Sequence, residues 1–253
     1  MENIIIALSL SLLIQSIFFI FAYLFKTDKV TDLSYGLTFI IIVIFLLLNN
    51  GVSIPNLFVA SLVIVWALRL IIYLFIRINK MKRDTRFDGI REKLLPFAKF
   101  WFLQGIAVWV ILLPTIVYTK NSSDYTSNIQ QFIGFMIFLM GFLTETISDY
   151  QKYSFKKNGN SSWIHSGLWR YARHPNYFGE MLCWWGIFII CTHSLSILLL
   201  TLIGPLSITF LLLFVTGIPP LEKRYNLKFK EDSKYQTYKK ESNLLVPVPF
   251  KLF

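Results

Sequence analysis

Apolar residues run along this chain in long blocks. Seven of them approach or reach the roughly 20 residues that a bilayer-crossing helix needs: about 4–25, 33–48, 56–76, 100–118, 129–148, 177–193 and 195–217. Polar and charged residues gather between the blocks, with no internal repeat and no low-complexity linker. The pattern predicts an all-α fold, a multi-pass integral membrane helical bundle of about seven transmembrane helices forming a single domain over residues 1–253. The first block is too long for a signal peptide and lacks a basic n-region and a small-residue cleavage site, so it reads as a retained helix.

Charge tests this map, because lysine and arginine collect in cytoplasmic loops. The connections after the first helix (Lys26, Lys29), after the third (Arg77 to Lys99) and after the fifth (Lys152 to Arg173), together with the tail, hold almost all the basic residues; the opposite side has Lys120. Alternation therefore works throughout, with the N-terminus outside and the C-terminus cytoplasmic. A hydrophobic share of 55% and a mean hydropathy of +0.57 agree, removing the chain from the ordinary soluble class. The net charge of +11 reads as topology signal plus attraction to anionic lipid headgroups, worth about 1 kcal/mol per basic residue near the surface. No basic-aromatic platform or recognised nucleic-acid fold accompanies it, so nucleic acid is not the expected partner. Cys183 and Cys191 are eight residues apart on one predicted helix, about 12 Å, too far for a disulfide. His165, His174 and His193 have no ligand spacing, and no metal site is expected.

Within the apolar blocks a few polar residues recur at helical spacing. WALRLIIYLFIR (66–77) places Trp66, Arg69, Tyr73 and Arg77 along one stripe of the third helix. Arg69 sits two turns deeper than Arg77, where an arginine costs about 2.5 kcal/mol or more unless it meets a partner or a wet cavity; a snorkelling side chain or a structural ion pair is the bland alternative. ETISDYQKYSFKKNG (145–159) ends the fifth helix with Glu145 and Asp149 four apart, and Lys152, Tyr153 and Lys156 continue that side. Two neighbouring carboxylates raise each other's pKa unless a cation or donor lies between them, a gap that a ligand or a local lysine pair would fill. After Pro219-Pro220, which should stop the seventh helix, LEKRYNLKFKEDSKYQTYKK (221–240) reads as an amphipathic interfacial helix with Glu222 at its root. The final LLVPVPF is expected to be extended.

The densest polar chemistry is GLWRYARHPNYFGEMLCWWG (167–186). Pro175 suits a first helical position, so the sixth helix should start at His174-Pro175. Asn176 and Glu180 then share a face one turn apart, at a helix N-terminus whose free N–H groups favour phosphate or developing negative charge. Arg170 and Arg173 just upstream supply compensating cations, and Gly167 and Gly179 permit close backbone approach. An interfacial aromatic belt explains Trp169, Tyr171, Tyr177, Phe178, Trp184 and Trp185, but it does not explain a glutamate within the helix.

These residues resemble the bacterial DUF1295 family, grouped with the steroid 5-alpha-reductase C-terminal domain. The resemblance covers nearly the whole chain and rests on VTDLSYGLTF (30–39), WALRLIIYLFIR, DTRF (84–87), FLQGIAVWVILLP (102–114), ETISDYQK (145–152), GLWRYARHPNYFGE (167–180), GPL (204–206) and GIPPLE (217–222). It implies a membrane-embedded NADPH-dependent reductase, an oxidoreductase acting on CH–CH groups, with a cytoplasm-facing cofactor cavity. Such an enzyme passes hydride to an activated, enone-type C=C bond of a lipid or steroid-like substrate. The family's cofactor contacts carry over to Arg69, Tyr73, Asp149, Asn176 and Glu180; Glu145 stands where the steroid enzymes have asparagine, and Lys156 replaces a phosphate-binding arginine. Arg170, Arg173, His174, Tyr177 and Glu222 complete the expected cofactor set. The catalytic group is left open. Trp66 occupies the position of the steroid-reductase tyrosine, and an indole is not a comparable proton donor.

Two other readings stand beside this one. S-adenosylmethionine-dependent methyltransferases of the isoprenylcysteine carboxyl or phospholipid type share the RHP-x-Y-x-G-E segment and a glutamate after the last membrane helix, which Glu222 matches. Their cofactor is cationic and has no phosphate, so Arg69, Lys156, Arg170 and Arg173 favour the dinucleotide. A non-catalytic membrane protein retaining the fold is opposed by Arg69, Asp149 and Glu180, expensive residues to keep in a membrane without a polar ligand.

Overall fold

The computed structural model describes residues 2–81, 87–121, 128–157, 159, 162–192 and 195–251. His193 and the first three positions of DTRF lie outside them. Among the described residues ten α-helices follow one another: α1 (Glu2–Leu24), α2 (Thr31–Asn50), α3 (Ile54–Met81), α4 (Leu94–Ile111), α5 (Leu113–Asn121), α6 (Asn128–Lys157), α7 (Pro175–Cys191), α8 (Leu195–Phe210), α9 (Ile218–Lys228) and α10 (Ser233–Glu241). No strand occurs among the described residues; an isolated parallel bridge joins Ala172 and Asn243. Among the described residues six stretches are long and apolar enough to cross a membrane, namely α1, α2, α4, most of α3 and α6, and a stretch within Ile197–Lys228. Large apolar side chains point outward along them, among them Leu48, Ile54 and Leu199. Lipid tails solvate such a surface at no cost, whereas water would not.

Three expectations are corrected. The block 100–118 is two helices, because Pro114 has no N–H to return to the turn before it, and Leu112 takes a non-helical ψ of −6° between α4 and α5. Pro219 and Pro220 do not stop a helix. The membrane segment already loosens into a π turn at Leu211–Val215, and the prolines occupy the first turn of α9, where their missing N–H groups are no loss. The stretch 221–240 is likewise two helices, α10 being started afresh by Asp232, whose carboxylate accepts from the N–H groups of Lys234 and Tyr235.

The chain divides into two compact units, residues 1–132 with 187–205, and residues 133–186 with 206–253. In the first, α1 packs on α2 and α4, and α2 packs on α3. Several polar side chains inside this bundle find partners on neighbouring helices, where no water reaches. Gln15 donates to Thr38 Oγ1 (2.8 Å), Gln104 donates to Gln15 Oε1 (3.0 Å) and to Ser34 Oγ (3.1 Å), and Ser11 donates to the Gly105 carbonyl (2.8 Å). At one end buried Arg91 bonds Asp28 at 2.8 Å and Asp88 at 2.5 Å, and Arg77 pairs with Asp32 at 3.1 Å. The connections following α1 and preceding α4 therefore meet on one face, as alternation requires. At the other end Asn3 donates to Asn50, and Asn50 and Asn56 donate to Thr119, drawing the opposite ends of α1, α2, α3 and α5 together.

The stripe on α3 turns inward as its spacing predicts. Trp66 is fully buried, edge-on to Phe39 at 5.2 Å, and Arg69, Tyr73 and Arg77 are partly buried, whereas Val65, Leu68, Ile72 and Phe75 are exposed.

Candidate functional site

In the second unit α6 and α7 run antiparallel in van der Waals contact of their backbones. A Cβ added at Gly179 would lie 2.5 Å from the Glu145 nitrogen and 2.6 Å from the Gly141 carbonyl oxygen. Gly186 meets the Gly134 carbonyl in the same way, two turns on. Only glycine permits this approach, and its register fixes the site. Glu145 abuts Gly179, so one turn further along α6 Asp149 comes level with the first turn of α7, which carries Asn176.

Glu145, Ser148 and Asp149 are buried, at 2%, 0% and 4% exposure. α7 begins at Pro175, and Asn176 and Glu180 are partly buried on its first turns. The Asn176 Oδ1 is buried and accepts no hydrogen bond from any described residue. Such an orphaned acceptor in a low-dielectric setting costs about 1–3 kcal/mol, a cost that a ligand's N–H or O–H would remove. The Asn176 oxygen calls for a donor, not for an anion.

The α7 N-terminus is less open to phosphate than the sequence suggests. The chain segment 171–174 is held from three sides. Gly167, at φ +61° and with no room for a Cβ against Gln151, turns the loop so that Leu168 N–H reaches Gln151 Oε1 (3.0 Å) and Trp169 Nε1 reaches the Ser148 carbonyl (3.0 Å). The C-terminal tail then pairs with it through the isolated parallel bridge. Asn243 N–H donates to the Tyr171 carbonyl (2.8 Å), and the N–H groups of Arg173 and His174 donate to the carbonyls of Asn243 and Leu244 (3.0 Å each). Pro175 has no N–H, so the nearest helix-terminal donors left are those of Asn176 and Tyr177.

Arg173 is committed inward. Its Nε donates to Glu222 Oε1 (3.1 Å), and its Nη1 donates to the carbonyls of Lys239 (3.0 Å) and Ser242 (3.1 Å), capping the end of α10. Glu222 Oε1 also bonds His174 Nε2 at 2.9 Å, and the His174 ring stacks on Tyr177. Burial pushes the His174 pKa below its ordinary value, against the pull of the Glu222 hydrogen bond and charge and with Lys152 and Arg173 adding to the depression. The imidazole is therefore neutral at pH 7 and donates Nε2–H to Glu222.

Beside this network lies a small cleft, partly open to solvent, in which Arg173, His174 and Glu222 meet Lys152, Trp163, Trp169, Tyr225, Tyr235 and Tyr238. Lys152 Nζ sits over the Trp169 ring at 4.8 Å, Tyr238 donates to the Trp169 carbonyl at 2.7 Å, and Trp163 Nε1 is buried without an acceptor among the described residues. Burial holds the Tyr235 phenol protonated, its pKa pushed up to about 12.

The fold thus brings Arg173, His174 and Glu222 into one network and buries Glu145 and Asp149 beside α7. Arg170, over the Tyr171 ring, and Lys156 are exposed. Arg69, Tyr73 and Trp66 belong to the first unit. The aromatic wall of Trp163, Tyr225, Tyr235 and Tyr238 was missed as a site because its members are scattered over the chain; the one signal was the tyrosine spacing in the tail.

The family described as protein of unknown function (DUF1295) matches residues 18–242, nearly the whole chain and parts of both compact units. No curated protein and no solved structure matches it.

Proposed function

Because the chain belongs to the DUF1295 family of proteins, we propose that it is a membrane-embedded NADPH-dependent reductase that transfers hydride to an activated C=C bond of a lipid-like substrate. The observation that carries this reading is the acceptor cluster on α6 and α7, in which Glu145 and Asp149 are buried and the Asn176 Oδ1 lacks a donor. A carboxamide NH₂ and ribose hydroxyls supply the missing donors, so the nicotinamide riboside end of the cofactor fits these residues. NADPH, when bound, supplies the hydride. The chain's part is to hold and orient: Asn176 and Asp149 accept from the cofactor, Glu180 continues that face, and the glycine-tight packing of α6 on α7 excludes water. Arg170 and Lys156 are exposed, whereas Arg173 is engaged within the protein. We further read α7, at 17 residues, as a seventh crossing, with the N-terminus outside and the site and C-terminus cytoplasmic, all within one functional domain.

One observation favours methyl transfer as the second reading. The Glu222 carboxylate stands in a cleft walled by Trp163, Tyr225, Tyr235 and Tyr238, surroundings that suit the amino group and sulfonium of S-adenosylmethionine.

Thermal unfolding of the detergent-purified protein with NADPH, NADH and S-adenosylmethionine separates the two. The expected outcome is stabilisation by NADPH, worth about 2.7 kcal/mol when ligand exceeds its Kd a hundredfold, and its loss in Asn176→Ala and Glu180→Gln with the fold retained. Stabilisation by S-adenosylmethionine alone sinks the reductase.

A further inference from the structure

α9 has two faces with different chemistry. Leu221, Glu222 and Tyr225 line the cleft, whereas Lys223, Arg224, Leu227 and Lys228 are exposed. Leu227 is 70% exposed, an apolar residue standing among cations. The basic side chains are steadied on the helix by aromatic rings, Arg224 over Tyr225 at 5.7 Å and Lys228 over Phe229 at 5.0 Å. Beyond the turn Lys230, Lys234 and Lys240 are exposed as well, against exposed Glu231 and Glu241. Tyr235, by contrast, is buried, and Tyr238 points into the cleft wall. Two residues, Thr216 and Gly217, separate α9 from the π turn that ends the apolar segment, so this cationic face follows directly on a membrane-length stretch.

We propose that the outer face of α9 and α10 is a docking surface for anionic phospholipid headgroups, and that occupying it secures the cleft formed by the inner face. Three features converge. The face is cationic, an apolar residue projects from it as an anchor into the acyl boundary, and it is continuous with a membrane segment. Because α9 is one rigid rod, a headgroup that holds Lys223, Arg224 and Lys228 also holds Leu221, Glu222 and Tyr225, and through Glu222 it holds Arg173 and His174. The inference is independent of which cofactor the protein uses.

Hydrogen exchange of residues 221–241 in lipid nanodiscs tests it. Discs of phosphatidylcholine alone are compared with discs of equal parts phosphatidylcholine and phosphatidylglycerol. The wild type is expected to exchange more slowly with phosphatidylglycerol, an effect suppressed by high salt. In Lys223→Gln/Arg224→Gln/Lys228→Gln the lipid dependence should vanish, each cation contributing about fivefold. Lys26→Gln/Lys29→Gln/Lys93→Gln removes three exposed cations elsewhere and should retain it. If the triple α9 variant does not fold, the single exchanges carry the same test in smaller steps. Equal exchange of the wild type in both discs overturns the proposal, and so does equal loss in the control variant, which would assign the effect to diffuse charge.

Discussion

Two buried polar regions of this protein use similar residues to opposite ends. In the bundle of α1, α2 and α4, Gln15, Ser34, Thr38 and Gln104 hydrogen-bond one another across helices and to backbone carbonyls. At the α6–α7 junction the Asn176 Oδ1 accepts nothing from the described residues, close along the helices to buried carboxylates. Both are helical amides in an apolar setting, yet the first closes on itself and the second is left needing a donor. The closed network glues helices, and on the proposed function the Asn176 acceptor is one that a bound ligand completes. Polarity at depth alone does not separate them.

The comparison breaks most severely if the junction is prevented from forming. Gly179→Val forces a side chain into the Glu145 backbone; overpacking of this kind costs about 1–3 kcal/mol or more, and here neither backbone has room to yield. The variant should fail to accumulate as a monodisperse protein by size-exclusion chromatography. Gly105→Ala in the closed region meets only flexible side chains at 3.1 Å or beyond, and should be mild.

Next in size is Glu222→Leu. It leaves the Arg173 guanidinium and the His174 Nε2 facing an apolar side chain, at a cost of about 2 kcal/mol for charge-assisted bonds in a partly buried setting. The unfolding midpoint should fall, with Glu222→Gln intermediate because its amide oxygen still accepts both hydrogen bonds but without the charge.

The sharpest contrast comes from matched apolar exchanges. Gln15→Leu removes the bonds that Gln15 makes with Thr38 and Gln104, each of which keeps another partner, and should cost about 1 kcal/mol, with no effect on cofactor binding. Asn176→Leu removes an orphaned acceptor, so the ligand-free protein should unfold at the same temperature or slightly higher, while its thermal response to NADPH is lost. A destabilisation of ligand-free Asn176→Leu equal to that of Gln15→Leu would erase the distinction.

The smallest effect concerns pH. The folded-state pKa of His174 lies below its ordinary 6.5, so as pH falls from 6.5 the unfolded chain takes up the proton first. The contribution of the neutral histidine is complete above that value and declines as pH drops towards the folded pKa. Wild-type stability should therefore decrease between pH 6.5 and 5 more steeply than that of His174→Gln, as read from denaturant midpoints.

Much of the architecture was legible along the chain because the bilayer makes it a local problem. A helix in lipid must satisfy its backbone within itself, so apolar length predicts the crossing, and the inward stripe from Trp66 to Arg77 follows from 3.6-residue periodicity alone. The α7 start at Pro175 was legible for the same local reason, a proline whose missing N–H is free only in a first turn. Pro114 and Pro219 carried the same information, but hydropathy averaged over a window passes through a break that a single residue makes. Arg173 shows the other limit. Its position next to a helix N-terminus suggests phosphate, whereas its guanidinium ends on Glu222, Lys239 and Ser242, partners 49 or more residues away that no local rule connects to it.

By itself, then, the sequence determined the membrane, the helices, the segments rich in polar chemistry and the family. These depend on length, period and residue type. Tertiary structure alone decided which polar groups are spent and which remain available, because a hydrogen bond is made between surfaces and not along a chain. Packing of α6 on α7 left the Asn176 oxygen buried and needing a donor, folding of the tail closed over Arg173 and His174, and the scattered residues Trp163, Tyr225, Tyr235 and Tyr238 became one wall only when α9 and α10 were folded back beside them.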